Sequence, residues 1–161
     1  MKTIGLTQGK VALVDDEDFE LLSQFRWYFQ TPMGYARTTI GERKVYMHRL
    51  ILKCEVPSIQ VDHINGDKLD NRRENLRIAT ASQNQANKPK YKKKCSSIYR
   101  GVCYEPSSTS KKKWCASILE NGTRHYLGHF HTEQEAALAY NKAAIKYFNE
   151  YAKSNEIKGD F

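Results

Sequence analysis

Asp62 and His63 stand side by side, Asn75 follows twelve positions after His63, and Asn84 comes nine further on. Asp62 and Asn84 offer hard oxygen donors of the kind magnesium prefers, with water filling the remaining positions around the ion. His63 is the side chain here whose ordinary pKa suits proton abstraction near neutrality. The chemistry within reach is therefore general-base catalysis beside a divalent cation. Neighbours on a strand point to opposite faces, so one site can use both Asp62 and His63 only at a strand end or bend. Asn65-Gly66-Asp67 supplies that bend, because Asn and Gly accept the positive φ of a tight turn. A calcium loop is excluded, since Ile64 occupies the place where that loop needs an oxygen.

The elements around these residues follow from local pattern. Leu76, Ile78 and their flanks read as a return strand. Thr80-Ala81-Ser82-Gln83 fits a capping box that opens a helix carrying Asn84 and Asn87. A hairpin followed by a helix is a compact frame for holding polar side chains around one ion.

With these residues in view, the stretch 61–88 resembles the HNH nuclease family, the ββα-metal type found in phage homing endonucleases. The matching residues are Asp62-His63, Asn71, Asn75-Leu76, Ser82, Asn84 and Asn87, with Met47-His48-Arg49-Leu50 upstream. The resemblance implies that His63 is the general base, that Asp62 and Asn84 ligate the metal, and that Asn75 braces the loop that aims His63. It also implies a divalent metal cofactor, magnesium first, with manganese equally suited to oxygen ligands.

The 161-residue chain has room for one ordinary domain or two small ones. Ten tyrosines, six phenylalanines and two tryptophans argue against disorder. The net charge of +8 is uneven: Lys and Arg outnumber Asp and Glu by 12 to 11 over residues 1–87, and by 14 to 7 over 88–161. A basic second half fits a polyanion, and nucleic acid is favoured because no amphipathic basic helix of the membrane-surface type is present. The four cysteines, at 54, 95, 103 and 115, form no Cys-x-x-Cys pair, which argues against a structural zinc site. Without a signal peptide or an apolar run near 18 residues, the expectation is a cytoplasmic, unsecreted protein, in a bacterial or phage-infected cell, with reduced thiols and no membrane.

Along the chain, residues 4–14 read as short strands around Gln8-Gly9. Asp15 to Asp18 open a short helix, their charges acting as caps on the positive end of its dipole. A β meander over Trp27-Tyr28-Phe29, Tyr35 to Thr39 and Val45 to Met47 leads into a helix over 48–54. His48 opens that helix either near the metal or as a structural residue. Arg72, Arg73 and Arg77 flank the site, as phosphate contacts or as solvated side chains. Residues 88–94 carry five lysines, Lys92, Lys93 and Lys94 among them, and read as a linker able to track a phosphate backbone.

Beyond it, three strands are expected over 99–104, 114–119 and 124–130. Asn121-Gly122 forms the second turn, and a helix capped by Thr132 and Glu135 follows. Its alanine stripe lets the helix sit close to a sheet. Tyr99-Arg100-Gly101-Val102, Trp114, Ala116, Ile118, Arg124, Tyr126-Leu127-Gly128, Phe130 and Glu135-Ala136-Ala137 resemble the APETALA2/ethylene-response-factor DNA-binding domain. That resemblance places Arg100, Arg124 and Tyr126 on a DNA face, with Trp114 inside the core. Cys103, Ser117 and Leu119 depart from the plant pattern, and Lys111, Lys112 and Lys113 supply phosphate contacts that position without specifying.

The expected whole is an α+β chain: a nuclease domain over 1–87 made of a small β meander and a ββα-metal unit, a basic linker over 88–96, a three-stranded antiparallel sheet on one helix over 97–155, and a tail over 156–161. Its expected function is metal-dependent hydrolysis of phosphodiester bonds in double-stranded DNA, of the homing type, nicking as a monomer. The alternative is a sequence-specific DNA-binding regulator whose nuclease domain is inert.

Overall fold

A computed structural model describes residues 1–89, 96–106 and 111–157. The chain divides into two compact units, Met1–Ala81 and Ser82–Phe161. It is mixed α/β, with four small antiparallel sheets among the described residues.

The first unit begins with a hairpin of β1 (Lys2–Gly5) and β2 (Val11–Val14). Helix α1 (Asp16–Ser23) follows, then a meander of β3 (Tyr28–Gln30), β4 (Tyr35–Ile40) and β5 (Arg43–Tyr46), which runs directly into α2 (Met47–Ile51). Helix α2 is shorter than the span read from sequence because Lys53, at φ +50, turns the backbone out of the helix. Ala12, Val14, Leu22, Trp27, Ala36, Met47 and Ile51 form a core that Val61 and Leu76 join. Val61 belongs to β6 (Gln60–His63) and Leu76 to β7 (Leu76–Ala79), so the site hairpin is anchored through its apolar positions.

The acidic run of α1 works differently from the caps expected for it. Asp15 makes no side-chain cap bond. Its Oδ2 instead accepts the Arg73 backbone N–H at 2.7 Å, and Asp18, only 5% exposed, takes the Arg73 guanidinium through both oxygens. Glu17 adds a 2.6 Å ion pair to the same guanidinium. A carboxylate offered a bidentate guanidinium gains more than one offered a weak helix dipole. The run therefore ties α1 to the loop before β7.

Helix α3 (Ala81–Asn87) lies in the second unit from Ser82 onward. A three-stranded sheet follows, with β9 (Trp114–Glu120) at the centre between β8 (Val102–Tyr104) and β10 (Thr123–Phe130). Asn121 and Gly122 both have positive φ, +47 and +82, which is the requirement of a two-residue hairpin turn. Helix α4 (Glu133–Phe148) opens with a complete capping box between Thr132 and Glu135. Its Ala136, Ala137, Tyr140, Ala143 and Ala144 lie buried, against Val102, Ala116 and Ile118 of the sheet, with Trp114 packed alongside. The first strand is shorter than read from sequence because Gly101 adopts φ +72 just before it. A methyl group at Gly101 would lie 2.0 Å from the Tyr140 ring and 2.6 Å from the Ser117 carbonyl oxygen. Only glycine fits there.

Helix α3 packs within this second unit. Ala86 shares a cluster with Ile118, Tyr140 and Phe148. The Arg100 guanidinium donates to the carbonyls of Gln85, Ala86 and Lys88, at 2.5 Å each. A cation on the last carbonyls of a helix satisfies its orphaned acceptors and opposes its dipole.

Candidate functional site

The site in the first unit is built on the β6–β7 hairpin. Asp62 and His63 close β6 and are paired in register with Arg77 and Leu76 of β7. The strand ends at His63 because the next residues turn. Gly66 takes φ +81, its N–H bonds the His63 carbonyl at 2.9 Å, and the Asn65 side chain accepts from the Asp67 N–H at 2.8 Å. This is the bend expected from Asn65-Gly66-Asp67.

Asn75 holds the loop from both sides. Its side-chain oxygen accepts the Asn65 N–H at 2.9 Å, its amide donates to the Asp70 carbonyl at 2.8 Å, and its own carbonyl accepts the Ile64 N–H. At 6% exposure it is buried. Asp70 adds a second tie, accepting from the Asn65 amide at 2.9 Å and from Arg72 through two bonds of 2.8 Å. Those Arg72 bonds hold the Asp70 carboxyl below its ordinary pKa.

His63 is 4% exposed, and its Nε2 faces the Asn71 side-chain oxygen at 3.4 Å. Asn71 is wholly buried and pinned by its backbone N–H to Leu13 and its side-chain amide to Leu69. The His63 ring meets His48 edge-on at 5.1 Å between centroids and Tyr35 at 5.9 Å. Tyr46 stacks on His48. Burial pushes the His63 pKa below its ordinary value, against the opposing pull of Asn71 and of the charges on Asp62, Asp67 and Asp70. His63 is therefore a neutral imidazole near pH 7, in the form that accepts a proton. Burial likewise drives His48 down to about 3, helped by His63 and Arg49, and its Nδ1 is buried with no hydrogen-bond partner among the described residues.

Asp62, 5% exposed, receives both Nε and Nη2 of Arg77 on Oδ2, at 3.0 and 2.9 Å. All three flanking arginines are thus engaged by carboxylates: Arg72 by Asp70 and Glu74, Arg73 by Asp18 and Glu17, Arg77 by Asp62. Asn84 lies on α3, in the second unit. Asp62 offers a hard carboxylate oxygen of the kind a magnesium-type ion takes. Asn71 and His48 are both positions of the resemblance, and the sequence leaves His48 either near the metal or structural; the structure sets its ring against His63. Tyr35 is the neighbour of His63 that the sequence does not single out, and it reaches the ring only through packing.

In the second unit, the sheet face away from α4 carries Cys103, Cys115, Ser117, Leu119, Arg124, Tyr126 and His129. Arg124 donates to the Ser117 hydroxyl at 3.1 Å, and Tyr126 is 60% exposed. Lys112 is exposed and Lys113 half-buried, its ammonium donating to the Pro106 carbonyl. Arg100, expected on this face, instead spends its guanidinium on the α3 carbonyls. Lys92, Lys93 and Lys94 lie outside the described residues. Among the described residues no helix is long and apolar enough to cross a membrane.

Comparison with known proteins places this geometry in context. A family model described as HNH endonuclease matches residues 45–86, which span β5 to α3 and include Asp62, His63, Asn71, Asn75 and Asn84. A protein of Acanthamoeba polyphaga mimivirus, described as an uncharacterized HNH endonuclease, is 33% identical over 157 residues, covering 96% of this chain and 79% of its own length.

Proposed function

The chain belongs to the HNH endonuclease family, and from that premise we propose that it is a homing-type enzyme that nicks duplex DNA as a monomer. The observation that carries the reading is His63, neutral, closing β6 on a loop that Asn75 and Asp70 lock from both ends. Nuclease activity needs a base whose direction is set before the substrate arrives, because misplacement by a fraction of an ångström costs rate.

His63 takes a proton from a water molecule. The water oxygen forms a bond to the scissile phosphorus, and the bond to the 3′ oxygen breaks. The departing oxygen is protonated from solvent, leaving a 5′-phosphate and a 3′-hydroxyl. With the Nε2 proton directed at Asn71, the accepting atom of His63 is Nδ1. Arg77 orients the Asp62 carboxylate across the hairpin. HNH nucleases use divalent metals; in this hairpin Asp62 is the residue that would hold the ion, and the motif gives Asn84 the same donor role, both assignments resting on donor chemistry and sequence alone. When bound, such an ion supplies Lewis-acid stabilisation to the phosphate and the leaving oxygen.

For the second unit we propose a DNA-targeting role resembling that of the APETALA2/ethylene-response-factor domain. Its open sheet face reads the duplex through Arg124 and Tyr126, while Lys112 and Lys113 contact phosphates. A single cutting centre severs one strand, so the expected product is a relaxed circle.

The test is a supercoiled-plasmid assay with DNA from the natural genomic neighbourhood, comparing wild type and His63→Ala, each with magnesium and with chelator. A positioned base contributes on the order of 10²–10⁴-fold, so the variant should lose at least about two orders of magnitude in rate while binding DNA normally. Equal cleavage by His63→Ala would remove His63 from the mechanism. Linear product formed in a single encounter would overturn the nicking monomer.

A further inference from the structure

Strand pairing brings together three chemically reactive side chains that sequence spacing keeps apart. Cys103 of β8 and Cys115 of β9 are direct register partners, and Cys115 is in turn the partner of His129 on β10. Direct partners in antiparallel strands project from the same sheet face, so these residues form a row across all three strands. Glu105, two residues beyond Cys103, returns to the row. The Sγ atoms of Cys103 and Cys115 and a carboxylate oxygen of Glu105 all lie within 4.8 Å of one another. The edges of a tetrahedron with zinc–sulfur bonds of 2.3 Å are about 3.8 Å, so contraction by about 1 Å, well within side-chain rotation, closes the group on an ion.

The surroundings are those of a ligand set. His129 Nε2 bonds Glu105 Oε2 at 2.8 Å, and His129 Nδ1 pairs with the Tyr126 hydroxyl. One tautomer satisfies both contacts: Nε2–H donates to the carboxylate, and Nδ1 accepts from Tyr126. The other Glu105 oxygen accepts from the Cys103 thiol, 3.8 Å away. A carboxylate oriented by a histidine, itself oriented by a phenol, is how outer groups set a metal-binding oxygen. Cys115 is buried and Cys103 exposed, so the group has a wall and an entrance.

We propose that Cys103, Cys115 and Glu105 bind one zinc-type cation on the open sheet face, with His129 as the orienting group behind Glu105 and water in the fourth position. Two thiolates select a borderline-soft ion over magnesium, so this site differs in chemistry from the oxygen donors of the nuclease hairpin. The inference holds whether or not the chain cuts DNA. Cys-x-x-Cys spacing is the wrong criterion here: a sheet places residues 12 and 14 apart in one row.

The test is cobalt titration of the reduced, metal-stripped full-length protein. The expected result is thiolate-to-cobalt charge-transfer absorption saturating at one ion per chain and bleached by zinc. Cys103→Ser, at an exposed position, should abolish that band, and Cys54→Ser should leave it intact. His129→Ala should keep the band while weakening affinity about 10- to 100-fold. Absence of the band in the wild type would overturn the proposal. So would persistence of the band in Cys103→Ser, or a Cys103–Cys115 disulfide that resists reductant and takes up no cobalt. If Cys103→Ser fails to fold, zinc protection of the Cys103 and Cys115 thiols from alkylation in the wild type replaces it, and unprotected thiols would overturn the site.

Discussion

At the scale of single residues, the His63 environment is arranged by contacts rather than by motif. Asn71 sets the ring through one nitrogen, and the His48 ring meets its edge. His48 in turn is boxed by Tyr35 and Tyr46, with His63 and the nearby Arg49 both disfavouring a second positive charge. Its folded-state pKa of about 3 lies below the ordinary 6.5, so the unfolded chain binds the proton first. Stability is then complete above pH 6.5 and falls as pH drops towards 3, by about 1.4 kcal/mol per pH unit. Urea unfolding of wild type and His48→Phe across pH 4–7 checks this. The wild-type curve should fall away from the variant as pH drops, and parallel curves would count against a neutral, buried His48. Asp62 carries the other residue-scale lesson. Its cross-strand pair with Arg77 places a guanidinium where spacing alone suggested a free arginine for phosphate.

At the scale of elements, each unit has a long-range clamp that sequence spacing does not announce. In the first, Asp15, Glu17 and Asp18 of α1 and its N-cap grip Arg73 and so fix the approach to β7. In the second, Gly101 lets α4 press its Tyr140 ring against the turn before β8. Gly101→Ala must both hold an L residue at φ +72 and displace Tyr140 or the Ser117 carbonyl. Strain and overpacking each cost about 1–3 kcal/mol, so a loss of about 3 kcal/mol or more is expected. Thermal unfolding followed by tryptophan fluorescence measures it through Trp114; an unchanged midpoint would mean the helix does not approach as closely as described. The capping box and the Asn121-Gly122 turn were legible because each is decided by residues within three positions. The two clamps were not, since nothing local to Arg73 or Gly101 names a partner 55 or 39 residues away.

At the scale of the whole molecule, charge separates the two halves: the first is nearly balanced, and the excess lies after residue 87. Phosphate contacts release counterions, so DNA affinity should fall linearly with salt on logarithmic axes, each contact contributing a slope of about −0.9. Lys112→Ala should reduce that slope by about 1 while leaving cleavage at saturating DNA unchanged. A fluorescence-anisotropy salt series decides it, and an unchanged slope would take Lys112 off the phosphate track. What the sequence by itself determined was the nuclease motif between residues 61 and 87, the sheet-and-helix order of the second half, its Asn121-Gly122 turn and Thr132 cap, and the basic bias. All of these are written in short-range spacing and composition, which act before the chain folds. Only the tertiary structure decided that the flanking arginines pair with Asp18, Asp62 and Asp70, that His48 lies against His63, that α3 packs under Arg100, and that two cysteines and a glutamate share one sheet face. Charges, rings and thiols choose partners by proximity, and proximity between distant residues is set by strand register and core packing, which no local spacing encodes.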